Sequence, residues 1–306
     1  MSYRVNDLLA DYRENKPSVM AEKLTFTGVG GKDVYNITAP FTDNGKQMIA
    51  GRVEERSSEY SEVIFFKKEA GEWTPDEGLP KFQLQDPFVT SIHDQLVFGG
   101  VEIFPHPENE GALMWRTVFY KGRDISRLEK FTTGPDGMKD IRLIELPDGK
   151  IGVFTRPQGK KGGRGKMGFT AIDKLDELDA DLLSQAPLMK EHFLDEEWGG
   201  ANEIHLLANG RIGVLGHISQ FDDQGDRHYY PMIFLYDVQA NQISDMEIIA
   251  EREDFPPGAT KRPDLKDVLF SGGLVRLKNG MAELYVGVSD AEAHKAVISD
   301  PFEKFE

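Results

Sequence analysis

Apolar residues in this chain come in short alternating runs, each broken by a polar turn. The pattern is plain in "VYNITAPFTDNGKQMIAGRVE" (Val34–Glu54) and "FQLQDPFVTSIHDQLVFGGVEIFP" (82–105). It returns in "MKDIRLIELPDGKIGVFTRP" (Met138–Pro157), "ANEIHLLANGRIGVLGHIS" (Ala201–Ser219) and "FSGGLVRLKNGMAELYVGVSD" (Phe270–Asp290). Asn-Gly or Asp-Gly between two apolar runs is the strongest short-range signal for a β-hairpin. The spacing therefore predicts five hairpin-centred units of strands. Helical spacing is confined to "VNDLLADYRE", an amphipathic stretch expected as a helix on the outside. "IDKLDELDADLLSQA" reads as a loop with helical turns.

Each unit opens on a polar or small residue: Asn36, Asp86, Asp140, Asn202 and Gly272. Their separations, roughly 50 to 70 residues, match one four-stranded propeller blade with its connection. The expected fold is an all-β, five-bladed β-propeller with a short N-terminal helical segment, a single domain over residues 1–306. A two-sheet sandwich also uses many short strands, but it does not explain polar residues recurring at one place in every unit. In a propeller the innermost strands converge on a central channel, and their opening residues face one another there. Asp86-Pro87 is the sharpest case, because proline cannot donate to a sheet ladder and is confined to edges, ends and bulges. Either Pro87 bends the strand and aims the Asp86 carboxylate into the channel, or the pair is an Asx-Pro turn ahead of a buried strand.

Charge narrows the partners. There are 52 acidic against 36 basic residues, a formal net charge of −16, which argues against nucleic acid, since phosphate backbones call for basic surface. A small anion held by a few local bases is still allowed. The absence of cysteine excludes disulfides and thiolate metal sites. With no signal-peptide core and no apolar run long enough to span a bilayer, the expected setting is cytoplasmic, without a membrane partner. The seven histidines are scattered with no metal-ligand spacing, so no metal is expected. "GKKGGRGKMGF" (159–169) is basic, but Met167 stands where a P-loop needs Ser or Thr, and no strand–helix context supports a dinucleotide fingerprint; it reads as a basic loop.

Taken in order, the units resemble the mannoside phosphorylases of glycoside hydrolase family 130. The resemblance rests on "YNITAPF…GRVEE", "LQDPFV", "KDIRLIELPDGKIGVFTRP", "NGRIGVLGHIS", "HYYPMIFLYDV" and "DVLFSGGLVRLKNGMAELYVGVSD", and spans Asn36 to Asp290. Gln85 stands where that family has an acid, and Phe88 where it has an arginine. The chain looks nearer to glycosyltransferase family 108, a group of β-1,2-mannosyltransferases and phosphorylases. The resemblance implies Asp86 as general acid and Lys139, Arg156, His217 and Tyr230 as phosphate ligands. It implies Asn36, Arg52, Glu54, Asp140 and Asp290 as sugar-binding residues. It implies no cofactor beyond inorganic phosphate as co-substrate, with mannose 1-phosphate and β-mannooligosaccharides as partners.

Those residue types suit the task. Inverting hydrolysis needs two carboxyl groups, one protonating the leaving oxygen and one activating water. A phosphorylase needs only the acid, because phosphate is itself an anionic nucleophile; bases that gather its charge replace the second carboxylate. Each residue also has a plainer reading: Lys139 and Arg156 as solvated charges, His217 as a satisfied core histidine, Tyr230 as aromatic packing, Arg52 and Glu54 as a same-face ion pair. Trp198 is the tryptophan expected at the channel rim. The competing functions are a propeller glycosidase, with Glu203 or Asp140 as its second carboxylate, and a non-catalytic sugar-binding propeller.

Overall fold

The computed structural model describes residues 5–190 and 192–306. Strands dominate, in antiparallel up-and-down units. The first holds Asp33–Tyr35, Lys46–Glu54, Ser61–Glu69 and Glu72–Pro75, with Phe41–Asp43 as an extra hairpin arm. The second holds Gln85–Ile92, Gln95–Pro105, Leu113–Gly122 and Glu129–Thr133, and the third Arg142–Glu145, Ile151–Thr155 and Gly168–Ile172. The fourth is built on Trp198–Leu206, Ile212–Phe221 and Arg227–Asp237, and the fifth on Asp267–Arg276, Met281–Val288 and Glu292–Ser299. Hydrogen bonding joins the last two units into one sheet through a short parallel contact, His228 with Asp267 and Tyr229 with Val268. The chain's first strand, Met20–Lys23, completes the fifth unit by pairing antiparallel with the last, Met20 opposite Val297 and Lys23 opposite His294.

Apolar side chains sort into clusters that each belong to two consecutive units. Phe65 and Phe98 tie the first to the second, and Phe119 and Val153 the second to the third. Phe154 and Phe234 tie the third to the fourth, Leu235 and Leu284 the fourth to the fifth, and Tyr285 and Phe66 the fifth back to the first. Helix Val5–Glu14, expected from its amphipathic sequence, buries Val5, Leu8, Leu9 and Tyr12 against the third-to-fourth cluster. The segment expected as loop with helical turns carries a 3-10 turn, Leu175–Glu177, and a short helix, Ala180–Gln185, capped by the Asp179 side chain at Leu182 N–H.

The strand-opening residues depart from regular strand geometry. Asn36, Asp86 and Asp140 have φ of 44°, 47° and 58°, the left-handed region that Asn and Asp tolerate better than other side chains. Between the pairs Gln85–Val101 and Phe88–Gly99 the register slips, so Asp86 and Pro87 together oppose one residue. That is a β-bulge, where an unpaired residue re-aims a side chain. Pro87 thus sits where no ladder hydrogen bond is asked of it. Slips recur at Asn202 and at Gly272. At Gly272 any Cβ would fall 1.6 Å from Ile37 O, so only glycine lets the first and fifth units approach this closely.

Candidate active site

The opening ends of the units enclose a cavity of about 420 Å³. Six of the expected site residues line it: Asn36, Arg52, Asp86, Lys139, His217 and Asp290. They come from all of the units, and the sequence pattern placed them at matching ends of their hairpins.

Asp86 is fixed through one oxygen. Its Oδ1 accepts from Asn36 Nδ2 at 2.8 Å and from Arg52 Nη1 at 3.1 Å, and its Oδ2 has no hydrogen bond among the described residues. Burial pushes the carboxyl up, but Arg52, Lys139 and the Asn36 hydrogen bond outweigh it and hold Asp86 below the usual carboxylate range. Arg52 is in turn gripped by Glu54 Oε2, at 2.7 Å from Nη2 and 3.1 Å from Nε. Tyr35 OH, at 2.9 Å, and Lys261 donate to the other Glu54 oxygen. Glu54 therefore stands behind Arg52 instead of lining the cavity.

Asp290 is the contrasting carboxyl. It lines the same space but makes no hydrogen bond or ion pair among the described residues. Burial pushes its pKa up, Arg52 opposes and the Asp86 charge adds to the rise, leaving Asp290 above the usual range. The surroundings of the two carboxyls thus drive them in opposite directions.

Other parts of the lining are cationic and aromatic. Lys139 faces the cavity without a hydrogen bond or ion pair among the described residues. His217 packs between Tyr229, stacked at 5.4 Å between ring centres, and Phe270 at 5.2 Å. Burial pushes His217 down; Asp140 opposes, but Arg156 and Lys139 add to the fall, to about 3, so the ring is neutral at ordinary pH. Behind it, Arg156 donates to Asp140 Oδ2 and to Gly199 O, both at 2.9 Å. Burial pushes Asp140 up, but Arg156 and Lys139 carry it down to about 2.

Arg156, Asp140, Glu54 and Tyr230 do not line the cavity. Tyr230 is displaced furthest from expectation: its OH donates to Asp267 Oδ2 at 2.9 Å and its ring joins the core beside the helix. Its neighbour Tyr229 takes the wall, because adjacent strand residues point to opposite faces. Trp198 is likewise a support, its Nε1 donating to Tyr229 OH at 3.0 Å, while Trp115 lines the cavity. Alternation from His217 across the hairpin to Tyr229 was the signal available for the first; nothing in the sequence marked Trp115. The basic loop is docked: Arg164 lies over Phe221 at 5.1 Å and over Trp198 at 5.9 Å, and Lys161 donates to Ser184 O at 2.6 Å. Glu203 accepts from Leu274 N–H at 2.6 Å and pairs with His205 at 2.9 Å, away from the cavity.

A family described as "Protein of unknown function (DUF1861)" matches residues 11–304. The chain belongs to this family. Two solved structures overlay the DUF1861 chain almost end to end. MPT-4, a mannose phosphorylase from Leishmania mexicana in complex with a phosphate ion, is 37% identical with TM-score 0.89, covering 98% of this chain and 94% of its own. MPT-1, a GDP-Man-dependent mannosyltransferase from Leishmania mexicana, is 36% identical with TM-score 0.89, covering 98% and 95%. A β-1,2-mannobiose phosphorylase from Listeria innocua shares the fold at 14% identity and TM-score 0.61, covering 91% and 90%. No match was found among curated proteins. The resemblance to glycosyltransferase family 108, with glycoside hydrolase family 130 as more distant kin, is borne out.

Proposed function

We propose that this DUF1861 protein is an inverting β-mannoside phosphorylase or mannosyltransferase, acting on β-1,2-mannooligosaccharides with phosphate or mannose 1-phosphate. The observation that carries the reading is one cavity lined by an ion-paired, strand-strained Asp86, an unpaired Lys139 and a neutral His217. Lys139 supplies the point charge and His217 a neutral ring nitrogen for the phosphate; Arg156 acts from behind by holding Asp140 in place. Asn36, Arg52 and Asp290 border the sugar. Arg52, Lys139 and Asn36 by themselves favour Asp86 as an anion. A phosphate entering the cavity adds negative charge nearby and raises the proton affinity of both carboxyls, so the acid is loaded when the nucleophile is present. The phosphate-bound mannose phosphorylase among its relatives supports phosphate as the co-substrate. The same reading takes the units as five blades of one propeller domain, because every apolar cluster bridges two neighbours and the last returns to the first.

Asp290 gives the glycosidase reading its footing, as a second carboxyl in the cavity; Glu203 and Asp140, bound elsewhere, do not. The deciding experiment incubates the protein with β-1,2-mannobiose, with and without phosphate. Mannose 1-phosphate formed only with phosphate supports the proposal. Free mannose released at an equal rate without phosphate would transfer the assignment to hydrolysis. GDP-mannose with a mannoside acceptor forms the third arm and tests for a nucleotide-sugar donor.

A further inference from the structure

We infer that Asn202 turns its amide nitrogen to His217 and so holds His217 as the tautomer whose Nε2–H faces the cavity, making Asn202 a positioning residue for the anion. Proton supply decides the orientation. Ser271 Oγ lies 2.8 Å from Gly216 O and 3.2 Å from the Asn202 side-chain atom that also sits 2.8 Å from His217 Nδ1. A serine hydroxyl has one proton. Gly216 O, a pure acceptor at the shorter distance, takes it. What Ser271 then offers Asn202 is a lone pair, and only the amide nitrogen donates to a lone pair.

The two ends of an asparagine amide exchange by a half-turn, and hydrogen bonding decides between them. With oxygen toward Ser271 and His217, the Asn202 nitrogen is sealed away from water without a partner, its two N–H groups unsatisfied. With nitrogen there, both protons are used, one on Ser271 Oγ and one on His217 Nδ1; a single carbonyl oxygen is left without a donor. Buried donors without acceptors are costly, so the second arrangement prevails. Asn202 itself has no freedom to retreat, because its backbone carbonyl accepts from Arg142 Nε at 2.7 Å and it occupies the bulge of its strand.

Nδ1 then accepts, and the proton of the neutral ring resides on Nε2. Nε2 has no partner among the described residues, and it is not among the sealed polar atoms, so it opens on the cavity that His217 lines. The ring cannot turn over to exchange its nitrogens while it is stacked on Tyr229 and flanked by Phe270. The consequence is electrostatic. The Nε2–H tautomer presents a donor to an anion, and the other tautomer would present a lone pair and repel it. A neutral histidine thus serves the anion site only because Asn202 orients its proton.

The inference gives the proposed phosphate site its donor, and it is tested without turnover. In protein carrying ¹⁵N-histidine, with His217→Gln to assign the ring, long-range ¹H–¹⁵N spectra at neutral pH should show Nε2 protonated and Nδ1 bare. Inorganic phosphate should then shift Nε2 and leave Nδ1 nearly unmoved. Asn202→Asp, which offers only acceptors, should place a proton on Nδ1, with an unchanged melting profile as the control for folding. A proton on Nδ1 in the unmodified, phosphate-free protein overturns the inference, as does a bare Nδ1 in Asn202→Asp. If Nε2 carries the proton but no phosphate binds, the tautomer assignment stands and the phosphorylase reading falls.

Discussion

At the scale of single residues, the two cavity carboxyls behave oppositely and can be separated by experiment. Asp86→Asn keeps the hydrogen bonds to Asn36 and Arg52 in reach but has no proton to deliver. Turnover of β-1,2-mannobiose should fall about 10² to 10⁴-fold, the usual range for a general acid, with the fold intact by circular dichroism. Near-normal turnover in this variant would remove Asp86 from the acid role. Asp290 tests linkage instead. Its folded pKa lies above the unfolded one, so its contribution to stability is fully present below the unfolded value and is lost as pH rises through the folded value. At pH 7, where the unfolded carboxyl is ionised, the raised pKa is a cost to folding. Asp290→Asn should therefore raise the melting temperature at pH 7, on the order of 2 °C, and the gain should disappear as pH falls toward about 4. Lower activity with higher stability would be the mark of a functional residue kept at a structural cost.

At the scale of elements, the strand-opening positions organise the site, and they were legible because turns and bulges have a residue code. Asn36, Asp86 and Asp140 were placed at the cavity end of their units from hairpin spacing alone, and they occupy left-handed or bulged backbone there. Facing was less legible than position. Tyr230 and Tyr229 differ by one residue, and which of them meets the cavity depends on register against Ile212–Phe221, with Ser219 opposite Tyr229 and Ile218 opposite Tyr230. The layering of charge was legible only in part. The plainer reading of Arg52 and Glu54 as an ion pair held, but nothing marked Asp140 as spent on Arg156. Such buried pairs predict strong coupling. Arg156→Ala leaves Asp140 enclosed and unpaired, which typically costs about 3–5 kcal/mol; urea unfolding should show it. Adding Asp140→Ala should recover part of that loss, the two changes being far from additive. Simple additivity would mean that the pair is not a unit.

At the scale of the whole molecule, the ring of clusters is sealed by Met20–Lys23 pairing with the final strand. A chain begun at Pro17 should lose the helix and its docking alone. A chain begun at Leu24 should also bare the outer edge of Glu292–Ser299, a ready template for pairing with another chain. It should melt lower than the Pro17 variant and associate as concentration rises in size-exclusion chromatography; equal melting and a monomeric profile would show that the strand contributes nothing to closure. That closing strand also sets a schedule for biosynthesis. It leaves the ribosome long before its partner, Val297 to His294. Synthesis at about 5–20 residues per second keeps the two apart for well over ten seconds. During that interval the nascent chain carries one strand without a sheet, at the time when chaperones are most able to claim it.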